Sequence, residues 1–293
     1  VATDSTPNFL FENLGDGRFA DRTLDSNAAY NADGRPEAGM GIAVGDVDGD
    51  TRPDLFVTNL DGETNTLYRN AGDLLFFDET RARGLALDSL VHVGFGTAFL
   101  DVELDGDLDL LVGNGHILDN VERLYEGSGA HYRQRALLFL NDGRGKFAEL
   151  GDRLPAELAA PRVVRGLALA DYDEDGDLDV VLVQNDAPAA LLRNDAERAG
   201  HFLTLRVVDA SGREVLHASA IAEAGDRRTA RVSLPGASYC SSHDPRIVLS
   251  TTADRFDAIE VRWPTGERAV LRDVATDRFV TVRPDGTVEE RVP

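Results

Sequence analysis

Three nine-residue stretches crowd carboxylates at alternate positions of this chain. They are Asp46-Val-Asp48-Gly-Asp50-Thr-Arg52-Pro-Asp54, Asp101-Val-Glu103-Leu-Asp105-Gly-Asp107-Leu-Asp109 and Asp171-Tyr-Asp173-Glu-Asp175-Gly-Asp177-Leu-Asp179. Each puts acidic oxygens at positions 1, 3, 5 and 9. Like charges this close repel unless a hard cation gathers them, and Ca²⁺ takes six to eight oxygens from carboxylates, carbonyls and water. The expected ligands are the side chains at positions 1, 3, 5 and 9, with position 7 (Arg52, Asp107 and Asp177) contributing its backbone carbonyl. Up to three Ca²⁺ ions follow. Gly106 and Gly176 at position 6 permit the sharp turn such a loop needs. An EF-hand is excluded, because it needs a bidentate Glu at position 12 and helices on both sides. Position 12 here is Val57, Val112 and Leu182, and the flanks are short apolar runs such as Gly41–Val44 and Leu55–Val57. Runs of that length read as buried strands, so each loop is expected to close a β-hairpin.

Charge narrows the partners. The chain has 293 residues and a net charge of −22. Residues 199–293 hold 14 acids and 13 bases, whereas residues 1–198 hold 38 acids and 17 bases. A surface so acidic lacks the counter-charge to hold nucleic acid phosphates, and it is repelled by anionic lipid. No apolar run is long enough to span a membrane. The single cysteine, Cys240, rules out an internal disulfide and is expected to be a buried or half-buried thiol.

A second unit recurs between the loops. Asn13 and Phe19, Asn70 and Phe76, and Asn141 and Phe147 are each six residues apart across Gly- and Asp-rich turns. Each unit follows a short apolar run, so it reads as a hairpin with Phe on the return strand. A fourth start, Leu191-Leu-Arg-Asn194, lacks the turn. Successive Asn residues are 57, 71 and 53 apart, a period suited to four-stranded propeller blades. The long middle period comes from an insertion at about residues 115–135, with His116, Tyr125, His131 and Tyr132, a place where repeat arrays often carry binding.

These motifs resemble the FG-GAP/VCBS-type repeats of the cartilage-acidic-protein family. The resemblance rests on Gly41–Asp46 through Asn65–Asn70, on Gly96–Asp101 through His116, and on Tyr132–Arg135 with Leu138-Phe139. Gly236–Tyr239, Ser242–Arg246, Val261–Gly266 and Leu271–Val274 resemble that family's ASPIC/UnbV domain. The resemblance implies a seven-bladed propeller followed by a small β domain. Three loops suffice for only three to four blades, and the first hairpin reads as the outer half of a blade. The expected fold is therefore all-β: a partial β-propeller over residues 1–198, then a small β-sandwich or barrel over residues 199–293. Another protein subunit or a second copy is expected to cover the open array. The resemblance also implies an extracytoplasmic location, secreted or periplasmic, with a signal peptide already removed.

The C-terminal strands are expected at Phe202–Val208, Ala230–Leu234, Ile247–Leu249, Ile259–Trp263 and Phe279–Val282, with Trp263 as a core anchor. The six histidines fall in no catalytic or metal-ligand spacing, and no catalytic group can be named. The expected function is a calcium-stabilised, extracytoplasmic protein-binding or assembly module, such as an accessory subunit of a larger complex. The alternative is a propeller-scaffold enzyme of secondary metabolism, since bacterial relatives occur in pathways such as enediyne formation. His116 and His243 are the candidates that alternative offers.

Overall fold

A computed structural model describes residues 1–293. It contains twenty-one strands, three single-turn α-helices and one 3-10 turn, so the chain is all-β. The first hairpin is β1 (Phe11–Gly15) with β2 (Arg18–Asp21). Two four-stranded antiparallel sheets follow in meander order: β3 (Ile42–Gly45), β4 (Asp54–Val57), β5 (Thr66–Asn70) and β6 (Phe76–Asp78), then β7 (Gly94–Leu100), β8 (Asp109–Asn114), β9 (Leu137–Asn141) and β10 (Phe147–Glu149). A three-stranded sheet of β11 (Val164–Ala170), β12 (Asp179–Gln184) and β13 (Ala190–Leu192) comes next.

The acidic loops sit where the sequence places them. Gly45 pairs with Asp54, Leu100 with Asp109 and Ala170 with Asp179. Each loop is therefore the connection of an inner hairpin. The Asn–Phe units also form in one register, with Asn13 opposite Phe19, Asn70 opposite Phe76 and Asn141 opposite Phe147. The inner strands β3, β7 and β11 stand side by side. Gly96 on β7 makes the approach to β11 possible, since a Cβ there would lie 2.6 Å from the Leu167 side chain. Apolar residues facing between neighbouring sheets form buried clusters, one around Phe56, Leu67, Leu110 and Phe139, the next around Leu111, Leu138, Leu167 and Leu182.

The C-terminal strands are β14 (His201–Val207), β15 (Ser219–Ala224), β16 (Arg227–Val232), β17 (Ile247–Thr251), β18 (Arg255–Arg262), β19 (Arg268–Ala275), β20 (Arg278–Val282) and β21 (Val288–Arg291). They build two four-stranded sheets, β17-β14-β20-β21 and β16-β15-β18-β19, in which β14 and β20 run parallel. The two sheets share a cluster of 16 buried residues that includes Leu203, Phe256, Ile259 and Trp263. Trp263 is buried, and its indole N–H donates to the Val208 carbonyl at 3.0 Å, as expected of a core anchor.

Two expectations are corrected. Three to four blades is an undercount: the molecule has a propeller-like arrangement of five sheets of three or four strands, plus the first hairpin. The sequence count rested on acidic loops and Asn–Phe turns, and the last two sheets carry neither. The C-terminal region, expected as a small β-sandwich or barrel, forms two four-stranded sheets on one shared core and is also bonded into the acidic loops. Cys240 is exposed rather than buried; its φ of 46° marks a turn.

Candidate metal centre

The residues of each acidic loop divide the work. Position 9 closes the loop. Asp54 Oδ2 accepts from the Val47 N–H at 3.2 Å, Asp109 Oδ2 from Val102 at 3.0 Å and Asp179 Oδ2 from Tyr172 at 2.8 Å. The other oxygen accepts from the backbone N–H of Asn70, Asn141 or Asn194, at 2.7, 2.9 and 2.8 Å. Position 1 accepts from the turn: Asp46 from Thr51, Asp101 from Asp105 and Gly106, Asp171 from Asp175 and Gly176. Position 5 caps position 7, with Asp50 accepting from Arg52 and Asp105 from Asp107. Two carboxylate groups converge. Asp46, Asp48 and Asp50 can bring one oxygen each within 4.8 Å of one another, and so can Asp171, Asp173 and Asp179. Asp101, Glu103 and Asp105 of the middle loop do not gather to that spacing, and Asp175 stands aside beside Arg198.

Whether these residues suit a cation can be judged from their own surroundings. Asp46 Oδ1 and Asp48 Oδ1 are buried and accept no hydrogen bond. A buried carboxylate oxygen without a donor is costly unless a charge compensates it. Burial pushes the carboxyls of Asp46, Asp48, Asp101 and Asp171 above the usual carboxylate range. It raises Asp177 to about 6, Asp54 to about 7 and Asp109 to about 8. These are oxygen donors of a hard-cation type, crowded and desolvated, and they fit a divalent ion.

Arginines supply part of the compensation. Arg83 lies 3.2 Å from Asp48, Arg52 pairs with Asp50, and Arg198 lies 2.9 Å from Asp177. The C-terminal region brings more. The Ala230 N–H donates to Asp46 Oδ2 at 3.1 Å, Ser250 Oγ donates to Asp101 Oδ2, and Arg246 donates to the Asp171 carbonyl at 3.1 Å. Position 1 of all three loops is therefore touched by residues more than 70 positions away. Arg227 pairs with Asp107, and Arg231 donates to the Gly106 carbonyl at 3.0 Å. The Phe202 ring rests on Gly176 and on buried Leu104. A cavity of about 120 Å³ remains between the inner strands and this roof, lined in part by Val44, Phe99, Arg231 and His243. Sequence reasoning missed the roof, for no local signal links Ala230 or Ser250 to the loops.

The histidines hold structure. His243 Nδ1 accepts from the Leu169 N–H at 3.0 Å, and His116 Nδ1 accepts from Leu118 at 2.9 Å. In the insertion, His131 and Tyr125 are exposed, while His116 is buried and faces Asp61 at 3.4 Å.

Comparison with known proteins agrees with the repeat reading. Residues 46–112 match the FG-GAP-like repeat, and residues 209–289 match ASPIC and UnbV. Cartilage acidic protein 1 of Xenopus tropicalis is 30% identical over 143 residues, which cover 48% of this chain and 19% of that protein. The Homo sapiens protein of the same name is 24% identical over 304 residues, covering 99% of this chain and 43% of its own length. The chain thus spans less than half the length of these curated relatives. Among solved structures, an Agrocybe aegerita lectin described as recognising non-reducing terminal N-acetylglucosamine shares 17% identity at a TM-score of 0.38, over 80% of this chain and 62% of its own.

Proposed function

We propose, from the joining of an FG-GAP-like repeat to an ASPIC and UnbV segment, that the chain is a calcium-stabilised, extracytoplasmic protein-binding module. The observation that carries this reading is the pair of buried, unpartnered carboxylate oxygens on Asp46 and Asp48 inside a three-carboxylate group. A divalent ion there would draw Asp46, Asp48 and Asp50 together, and another would do so for Asp171, Asp173 and Asp179. Its contribution is charge neutralisation; the chain itself closes the loops through position 9 and tethers position 1 to the roof. Residues 1–198 act as the loop-bearing array and residues 199–293 as the cap in this reading. Calcium at the millimolar level found outside the cytosol suits extracellular modules, and no helix is long and apolar enough to cross a membrane.

The partner in this reading is another protein subunit or a second copy, which covers the open array. Calorimetry with and without chelator tests the metal reading. A ligand that binds only the folded state stabilises it by about 3–4 kcal/mol when its concentration is 100 to 1,000 times its Kd. Removing calcium with EDTA is expected to lower Tm by several degrees, and calcium, added back, to restore it. A melt indifferent to both would refute structural calcium.

A further inference from the structure

We infer that the outer face of the sheet β17-β14-β20-β21 carries a binding site for an uncharged, hydroxyl-rich ligand, a short neutral saccharide. The site lies apart from the carboxylates that converge in the acidic loops. The inference stands whether or not those carboxylates hold calcium.

The strand register builds the site. Leu203, Leu205, Val280 and Val282 belong to the C-terminal core. Side chains alternate along a strand, so Thr204, Arg206, Phe279 and Thr281 stand on the opposite face. Across β14 and β20, Thr204 lies beside Phe279 and Arg206 beside Thr281. β21 extends both rows, with Arg291 opposite Phe279 and Glu289 opposite Thr281. Glu174 from the third acidic loop and Glu214 from the connection after β14 add to the walls. The cavity they bound is about 480 Å³. That is well above the 120 Å³ under the roof, and inside the range of about 300–1,000 Å³ usual for small-molecule sites.

The chemistry of the lining selects the ligand. Phe279 and Val280 are the two apolar residues among the 11 that line the cavity, so an apolar ligand gains little there. A charged ligand gains little either, because every charge is already paired. Arg206 meets Glu214 at 2.9 Å, Arg291 meets Glu174 at 2.9 Å, and Arg246 meets Asp244 at 2.6 Å. Glu289 and Glu290 are held by Arg283 and Arg278. An ion would have to break one of these pairs, whereas a hydroxyl would not. Arg206 bonds Glu214 through Nε and Oε1, and Glu289 accepts from Arg283 at Oε1. The terminal N–H groups of Arg206 and the second oxygen of each carboxylate remain for a ligand. Donors thus stand beside acceptors, which suits neighbouring hydroxyls, since each both donates and accepts. Arg291 is held ready for the same task, with its guanidinium over the Phe279 ring at 4.3 Å.

The floor of the cavity supplies an independent sign. Thr204 is 1% exposed, and its Oγ1 has no hydrogen-bond partner. A buried hydroxyl left in that state is costly. The side chains over it must part slightly for a ligand oxygen to reach it, and the bond then formed recovers the cost.

NMR titration of the full chain in calcium with maltose, cellobiose and lactose tests the site. A saturable shift of the Thr204, Thr281 and Arg291 amides is expected with at least one of them. Thr204→Val keeps the side-chain shape and removes the hydroxyl. It is expected to weaken binding about 5-fold, the worth of one hydrogen bond, while its urea midpoint stays level or rises. Arg291→Met is expected to weaken binding by a similar factor. Glutamate and gluconate serve as charged probes. No saturable shift with any of the three saccharides overturns the proposal. So does a folded Thr204→Val variant that binds at full strength, or a charged probe that binds these residues more tightly than every saccharide. None of these results bears on the melt in EDTA, so the calcium reading is judged separately.

Discussion

Position 6 of every acidic loop has left-handed backbone: Thr51 at φ 67°, Gly106 at 100° and Gly176 at 101°. Thr is β-branched and suits that region poorly. Thr51→Gly relieves about 1–2 kcal/mol of strain but returns about 0.4–1 kcal/mol as chain entropy. A small net gain in the urea midpoint is expected. Gly176→Ala goes the other way. A Cβ there would meet the Phe202 ring at 2.2 Å, and the loss is expected near 3 kcal/mol by the same titration. His243 gives a pH signature. Burial lowers its pKa from the ordinary 6.5, and its Nδ1 must be unprotonated to accept from Leu169. The unfolded chain binds the proton first, so the bond's contribution is complete above pH 6.5 and fades as pH falls through the folded value. The gap in stability between the wild type and His243→Leu should accordingly narrow from pH 7.5 to pH 5, measured by chemical denaturation. Cys240 shows a limit of reading single residues: its exposure comes from the path of a long loop between β16 and β17, which its neighbours do not announce.

Strands and hairpins differ in how openly the sequence declares them. The inner hairpins were legible because an apolar run, an acidic loop and another apolar run are all local. The Asn–Phe turns were legible for the same reason. β15, β19 and β21 were not: Ser219–Ala224 is rich in Ala, which favours helix over strand, Arg268–Ala275 mixes charged and apolar residues without clean alternation, and Val288–Arg291 is mostly charged and exposed. Those strands form because their neighbours supply ladders, with Ala220 opposite Val261 and Leu271 opposite Ile259. An Asn side chain also joins elements that sequence keeps apart. Asn141 Nδ2 donates to Leu108 O and to Val47 O, the latter in the preceding loop, and Asn194 Nδ2 donates to Val102 O. Each thereby stitches one sheet to the loop before it. Asn141→Ala leaves two carbonyls without this donor, and a loss of about 2 kcal/mol is expected in equilibrium unfolding. Asn13→Ala, with no such partners, should stay within about 0.5 kcal/mol of the parent.

Over the whole molecule, the array and its roof are expected to respond together, because the roof's bonds end on the loops that hold the charge. Chelation should consequently be felt far from the loops in sequence. The amide of Ala230, bonded to Asp46 Oδ2, is expected to exchange faster in EDTA than in calcium, while that of Val280, deep in the C-terminal core, changes less. Hydrogen exchange with mass or NMR readout measures both, and equal responses would separate the roof from the loops. The sequence by itself determined the all-β class, the three acidic hairpins, their candidate ligands and the likeness to a known repeat family. Each of those is written within about twenty consecutive residues as a spacing of charge, turn and apolar side chains. Only the tertiary structure decided how many sheets there are, which carboxylates converge, and that the C-terminal strands close over position 1 of every loop. Those facts depend on contacts between residues up to 184 positions apart, where chain order carries no trace of proximity and packing alone selects the partner.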